Sequence, residues 1–423
     1  MKRLAIVIVL AVLFGAASWA QTTGFFELVK TATPQQIQAA IDQGADLKAR
    51  DNDGRTALMY AASNLNPEVI STLLKAGAVV KARDNNGWTP LMYAVANNKN
   101  PEVIGRLLNA GADIKAQNKE GATALMYAVA NNNQNPEVIT TLLKAGADIK
   151  AQDKDGLTAL MWAATTNPNP EVISRLLKAG ADIKARDKAG WTALRLAASN
   201  NQNPEVITAF LKAGADIKTQ AKDGSTPLMA AAQMNRNPEV ISALLKAGAD
   251  LKARAKDGLT ALMYAATTNP NPEVISRLLK AGADLKAQDN YGCNALIYAA
   301  EYNQNPEIIA TLLKAGADLK AQDNYGSTAL IFAAGYNQNP EIIATLLKAG
   351  ADLKAKDKSG KTALMYAAAL NQNAEVIMAL LKAGADGKAK SNSGKTAFDY
   401  AKSNEKLKGT DAYRQLSDTQ YAR

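Results

Sequence analysis

Histidine is absent from this 423-residue chain, and cysteine occurs once, at Cys293. Histidine is the side chain that titrates near neutral pH and the commonest metal ligand. Its absence removes Ser/His and Cys/His nucleophile pairs and the usual zinc sites. A lone cysteine forms no internal disulfide, so no covalent framework holds the chain. Aromatics make up only 5% of the residues, and the glycines follow no phosphate-cradling motif. Acidic pairs such as Asp153 with Asp155 recur at one loop position, which marks turn formers rather than an acid/base couple. The run from Asp51 to Gly54 resembles the start of a calcium loop, but Ala62 stands where the closing glutamate is required. These absences predict a non-catalytic protein with no cofactor and no metal.

Only one long apolar run is present, Leu4 to Ala17, behind Lys2 and Arg3 and ahead of Ser18, Trp19 and Ala20. A basic start, a short apolar stretch and small residues form the pattern of a cleaved signal peptide. The run falls short of the roughly 20 residues that span a bilayer; an uncleaved anchor is the alternative reading. Cleavage after Ala20 leaves a chain beginning at Gln21, with no membrane-spanning segment, in an extracytoplasmic location, periplasmic or secreted. Cys293 then reads as a serine-like loop residue, with a reactive or intermolecular thiol as the alternative.

What the sequence has in abundance is itself. Residues 154–182 and 256–284 differ only at Trp162 against Tyr264. A glycine precedes each TAL-like segment at Gly54, Gly87, Gly121, Gly156, Gly190, Gly224, Gly258, Gly292, Gly326, Gly360 and Gly394, with spacings of 33, 34, 35 and then 34 throughout. A fixed period of this length signals a stacked-repeat architecture. The predicted organisation is a signal peptide over 1–20, an N-terminal capping repeat over 21–53, ten repeats over 54–393, and a C-terminal capping repeat and tail over 394–423.

One unit, 156–189, shows the local logic. Thr158 can cap a short helix in which Leu160, Ala163 and Ala164 share a face. A loop then leads to Asn169, Pro170 and Glu171, which supply an N-cap, a first-turn proline and an acid at the positive helix end. Val172, Ile173, Leu176 and Leu177 make the apolar stripe of a second helix, and Gly180 stands where a left-handed C-cap is needed. Neither helix is long enough to persist alone in water. Stability must therefore come from neighbouring units.

The pattern GxTALMYAA followed by NPEVIxxLLKAGADIKAxD resembles the ankyrin repeat, most closely at Thr89, Pro90 and Leu91 and at Thr226, Pro227 and Leu228. The resemblance covers about residues 24–410. It implies an all-α, helix-turn-helix solenoid with projecting hairpin loops and a concave face that grips protein partners. Two departures stand out. The extra residue per unit lies in the loop between the helices, where added length is tolerated cheaply. The family's histidine is replaced by Met59, Met92, Met126, Met161, Met229, Met263, Ile297, Ile331 and Met365, which predicts an apolar contact between units, and by Arg195, which leaves the packing of its own unit open.

Columns that vary among the units are free for recognition. The loop tip carries Trp88 and Trp191 just after the glycine, Tyr291 and Tyr325 just before it, and Leu157 and Leu259 elsewhere. A second variable column, after the paired alanines of the first helix, holds Met234, Tyr302, Tyr336 and Leu370. These are the candidate partner-binding residues, since exposed aromatics anchor interfaces; the alternative is that each ring packs on a neighbouring loop. The formal net charge is +10, yet the lysines that follow GAD and those that close the second helix are balanced by the aspartate of GAD and the glutamate of PE. The remainder, at Arg50, Arg83, Arg186, Arg254 and Lys356, is spread thinly, with no nucleic-acid recognition pattern. The lysine ladder from Lys48 to Lys388 leaves an anionic envelope or glycan surface as a second kind of partner.

Overall fold

The computed structural model describes residues 24–98, 100–130 and 136–421. The expected signal segment, residues 1–20, lies outside the described residues. Packing divides the chain into two bodies, Met1–Lys188 with Lys212–Gly214, and Ala189–Leu211 with Ala215–Arg423, each with its own buried core. Among the described residues there are helices and no strands; isolated bridges such as Gln322 to Thr328 pinch the hairpin loops.

The unit at 258–291 shows how sequence becomes structure. Thr260 is extended, and its hydroxyl accepts from the Met263 amide at 3.4 Å, opening the helix Ala261–Thr268. Asn271 accepts from the Glu273 amide at 3.0 Å, and Pro272 begins the helix Pro272–Lys280 without wasting a donor. Gly282 has a φ of +92°. There the amides of Gly282 and Ala283 close on Leu279 and Leu278 in a paired C-cap that a side chain would strain. Val274, Ile275 and Leu278 are fully buried. Their counterparts at 172, 173 and 176 are buried too, whereas Leu177 is half-buried at the edge of the predicted stripe.

The loop between the helices is more than spacing. Asn269 is fully buried, and its side-chain amide donates to the Ala232 and Asn235 carbonyls of the preceding unit, both at 2.8 Å. Asn303 repeats this onto Ala266 and Asn269, Asn337 onto Ala300 and Asn303, and Asn371 onto Ala334 and Asn337. In the first body Asn98 donates to Ala62 and Asn64, and Asn64 ends the series on Val29 and Ala32. A ladder of carboxamides thus satisfies buried backbone carbonyls that would otherwise be costly.

The hairpin loops stack by a second set of ties. The Asn290 amide donates to the Asp257 carbonyl at 3.1 Å, and a Cβ on Gly258, whose φ is +89°, would meet Asn290 Oδ1 at 2.7 Å. Four of the thinly spread basic residues serve the same stacking. Arg50 reaches the Arg83 carbonyl, Arg83 the Gln117 carbonyl, Arg254 the Gln288 carbonyl and Lys356 the Lys390 carbonyl. Each side chain donates to the loop one unit further on, so these charges have a structural use.

The predicted apolar contact at the methionine column is real, since Met229 and Met263 are buried, but it is also polar. Met263 Sδ accepts the Thr260 amide at 3.4 Å, as Met229 Sδ accepts that of Thr226. Arg195 is 7% exposed, with its guanidinium 3.9 Å above the Trp191 ring and Nη2 donating to Ser225 Oγ at 3.0 Å. Burial pushes the Asp223 carboxyl up, but hydrogen bonds from Ser225 and the nearby Arg195 charge hold it below the ordinary range. The arginine is therefore accommodated by a ring, a hydroxyl and an acid rather than by apolar neighbours. Both termini close on aromatics: Phe26 stacks on Tyr60 at 5.2 Å, and Phe398 meets Tyr413 edge-on at 5.1 Å.

Candidate functional site

In several units the loop ends in an acid that organises its own turn, and a ring nine residues later in the first helix donates to it. Tyr60 donates to Asp51 Oδ2 at 2.6 Å, Tyr93 to Asp84 at 2.7 Å, Tyr298 to Asp289 at 2.6 Å and Tyr366 to Asp357 at 2.8 Å; Trp162 Nε1 reaches Asp153 at 2.9 Å. Where the residue just after the loop glycine is basic, it covers the ring five residues on. Arg55 lies over Tyr60 at 5.1 Å, Lys361 over Tyr366 at 5.5 Å and Lys395 over Tyr400 at 5.7 Å.

Against this frame the candidate residues separate into two groups. Trp88 and Trp191 are half-buried: Trp88 packs on Tyr93 at 5.2 Å and on Tyr127 of the next unit at 4.2 Å, and Trp191 lies beneath Arg195. Leu157 is half-buried and Leu259 buried, so Leu259 offers a partner no surface. Tyr291, Tyr325, Tyr302, Tyr336, Met234 and Leu370 are between 47% and 65% exposed. Among the described residues of the first body the exposed large apolar ones are Leu65 and Val79, which the column argument missed because each occurs at its position only once.

The four tyrosines converge. With Tyr298, Phe332 and Tyr366 they line a groove of about 400 Å³ whose floor holds Cys293, Ser327 and Ile331 and whose acids are Glu301 and Asp323. Tyr298 lies nearly parallel to Tyr302 with centroids 6.3 Å apart, and Phe332 is 6.2 Å from Tyr336. A shallower depression of about 530 Å³, lined by Pro270, Gln304, Asn305 and Glu341, shares Tyr302 with it. Cys293 is 7% exposed; burial and the nearby carboxylates push its thiol up to about 12, so it is a protonated loop residue at neutral pH. Its amide donates to Asp289 Oδ1 just as the Ser327 amide donates to Asp323 Oδ1, in line with the serine-like reading. Burial pushes the Glu301 carboxyl up, opposed by a hydrogen bond from Tyr302.

The lysine ladder is exposed, and in every one of these turns except that of Lys81, where Val79 replaces the acid, the aspartate of GAD accepts the lysine amide, as Asp284 does from Lys286 at 2.9 Å. Among the described residues no helix is long and apolar enough to cross a membrane.

Stacked helical hairpins with projecting loops define a repeat protein. The family model for ankyrin repeats (3 copies) matches residues 25–118, 96–187, 125–221, 165–255, 194–289, 228–323, 268–357 and 330–416. The chain belongs to the ankyrin-repeat family, whose members serve generally as protein–protein interaction scaffolds. A comparison with curated proteins finds no matching relative.

Proposed function

We propose that this chain is an exported, non-catalytic scaffold that holds a partner protein on the face formed by its loop tips and first helices. The observation that carries this reading is the exposure of Tyr291, Tyr302, Tyr325 and Tyr336 around one groove in a chain with so few aromatic residues. Rings left half in water contribute most when a partner desolvates them. The basic and apolar run of residues 2–17, followed by small residues, supports an extracytoplasmic destination.

The test uses residues 21–423 as bait in the extracytoplasmic fraction. Replacing Tyr302, Tyr325 and Tyr336 together by alanine is expected to lower partner recovery at least about tenfold, with little change in thermal unfolding. Recovery equal to that of the parent would refute the assignment. A second reading, adhesion to an anionic envelope or glycan through the exposed lysines, is supported by their periodic display. Raising salt from 0.05 to 0.5 M separates the two, because only lysine-driven capture should collapse.

A further inference from the structure

We propose that the tyrosine groove of units 292–325 and 326–359 is a seat for a cationic side chain, a lysine or arginine carried on an extended segment of the partner protein. This rests on the scaffold reading and names the chemistry of what that face holds.

The argument begins with the column that follows the loop glycine. Where this column carries Arg55, Lys361 or Lys395, the cation covers the ring five residues on, within 5.1 to 5.7 Å of its centroid. The fold thus places a positive charge over these rings wherever the sequence supplies one. In the two groove units the column holds Cys293 and Ser327 instead, both buried and too short to cover Tyr298 or Phe332. The faces of Tyr298 and Phe332 thus carry no such cation, whereas Lys361 already covers Tyr366 at the edge of the same groove.

The acids point the same way. Asp323 is 9% exposed and lines the groove. Its Oδ1 accepts from the Tyr325 and Ser327 amides at 2.9 and 2.7 Å, as its counterparts do in their turns. Its Oδ2 has lost the usual hydroxyl, because Phe332 stands where Tyr298 and Tyr366 donate to Asp289 and Asp357. Glu301 adds a second, half-buried carboxylate, hydrogen-bonded by Tyr302 and without an ion pair among the described residues. Two acids, seven rings and no basic residue line this groove, in a chain whose net charge is +10. A partly desolvated carboxylate without a countercharge favours a cation far more than an apolar or acidic group.

The test is a titration of full-length chain carrying ring-labelled tyrosine, followed by NMR, with two acetylated tetrapeptides of sequence Ala-Lys-Ala-Ala and Ala-norleucine-Ala-Ala. The lysine peptide is expected to shift the groove tyrosine signals saturably and to bind at least about tenfold more tightly than its norleucine twin. Glu301→Gln with Asp323→Asn should erase that preference while leaving the norleucine peptide unaffected. Asparagine at the second site is compatible with the turn, since Asn118 occupies the same column and accepts the Glu120 and Ala122 amides. Ser327→Lys, which copies the Lys361 arrangement, should block the lysine peptide from within. Equal binding of both peptides, no binding of either, or an unchanged preference in the double variant would each overturn the proposal. So would a flat titration together with a dimer in sedimentation that Asp323→Asn dissociates, which would make a second copy the occupant. If the peptides fail while partner capture still depends on Tyr302, Tyr325 and Tyr336, the scaffold reading survives and only the cationic seat is lost.

Discussion

Asn303 brings two donors into the interior and spends both on carbonyls of the preceding unit, at 2.9 and 3.0 Å, while its Oδ1 accepts the Asn305 amide. Alanine there would leave two buried carbonyls unpartnered, and each orphaned group costs about 1–3 kcal/mol. Asn303→Ala is expected to lower the free energy of unfolding by roughly 2–4 kcal/mol in urea; a loss under about 0.5 kcal/mol would show that water replaces the amide. The neighbouring variable positions obey a different physics. Tyr302 and Tyr336 are about half exposed, so their truncation should scarcely move stability. Asparagine in that loop looks in the sequence like polar filler, because the signal of its burial is the carbonyl 34 residues back. The extra residue of the period can thus be read from the spacing, but the ladder cannot.

The helices are legible from short-range signals: a threonine or asparagine cap, a proline in the first turn, a glycine after the end. The closing helix pair adds an electrostatic one. In the helix Ala397–Ala401 the Lys402 ammonium, then the Thr396 amide, hold the Asp399 carboxyl down at about 2. An unfolded aspartate titrates near about 3.9. A depressed folded value means that Asp399 contributes stability in full above about pH 4, and loses it as pH falls through about 2. Direct carboxyl titration by NMR should give this low midpoint, and the unfolding free energies of the parent and Asp399→Asn should converge below about pH 2. A midpoint near 4 would remove the claim. At the other extreme is the first helix of unit 190–223, where Arg195 breaks the methionine column. Its sequence leaves the packing open, and Trp191, Ser225 and Asp223 resolve it only because the turn that leads into the next unit supplies two of the three.

Within each body, neighbouring units are tied by an asparagine side chain, a loop amide and, in places, an arginine. Nearest-neighbour bonding of this kind makes units interchangeable. Deleting residues 87–120, which brings Gly121 into the place of Gly87, is expected to leave a cooperative helical protein whose urea m-value falls by roughly a tenth, in proportion to the surface lost. Loss of helical signal well beyond one unit's share would mean that the units are not equivalent. The same equivalence explains how nearly identical blocks at 154–182 and 256–284 can coexist: neither the ladder nor the loop ties distinguish one neighbour from another.

Unit length, helix limits, caps and the alternation of buried and variable columns follow from the residues in order, because those interactions span four residues or fewer and recur in every repeat. Which rings remain free was settled only when the units stacked. Trp88 and Trp191 carry the same interface signal as Tyr302 and Tyr325, yet Tyr127 of the next unit covers Trp88 and Arg195 of its own helix covers Trp191, while the latter pair is left around an acidic groove. The physical reason is that a side chain's exposure is set by contacts beyond its own turn, for Trp88 by the residue about one period away. Spacing locates that residue, and only packing reveals whether it covers its neighbour or leaves it open.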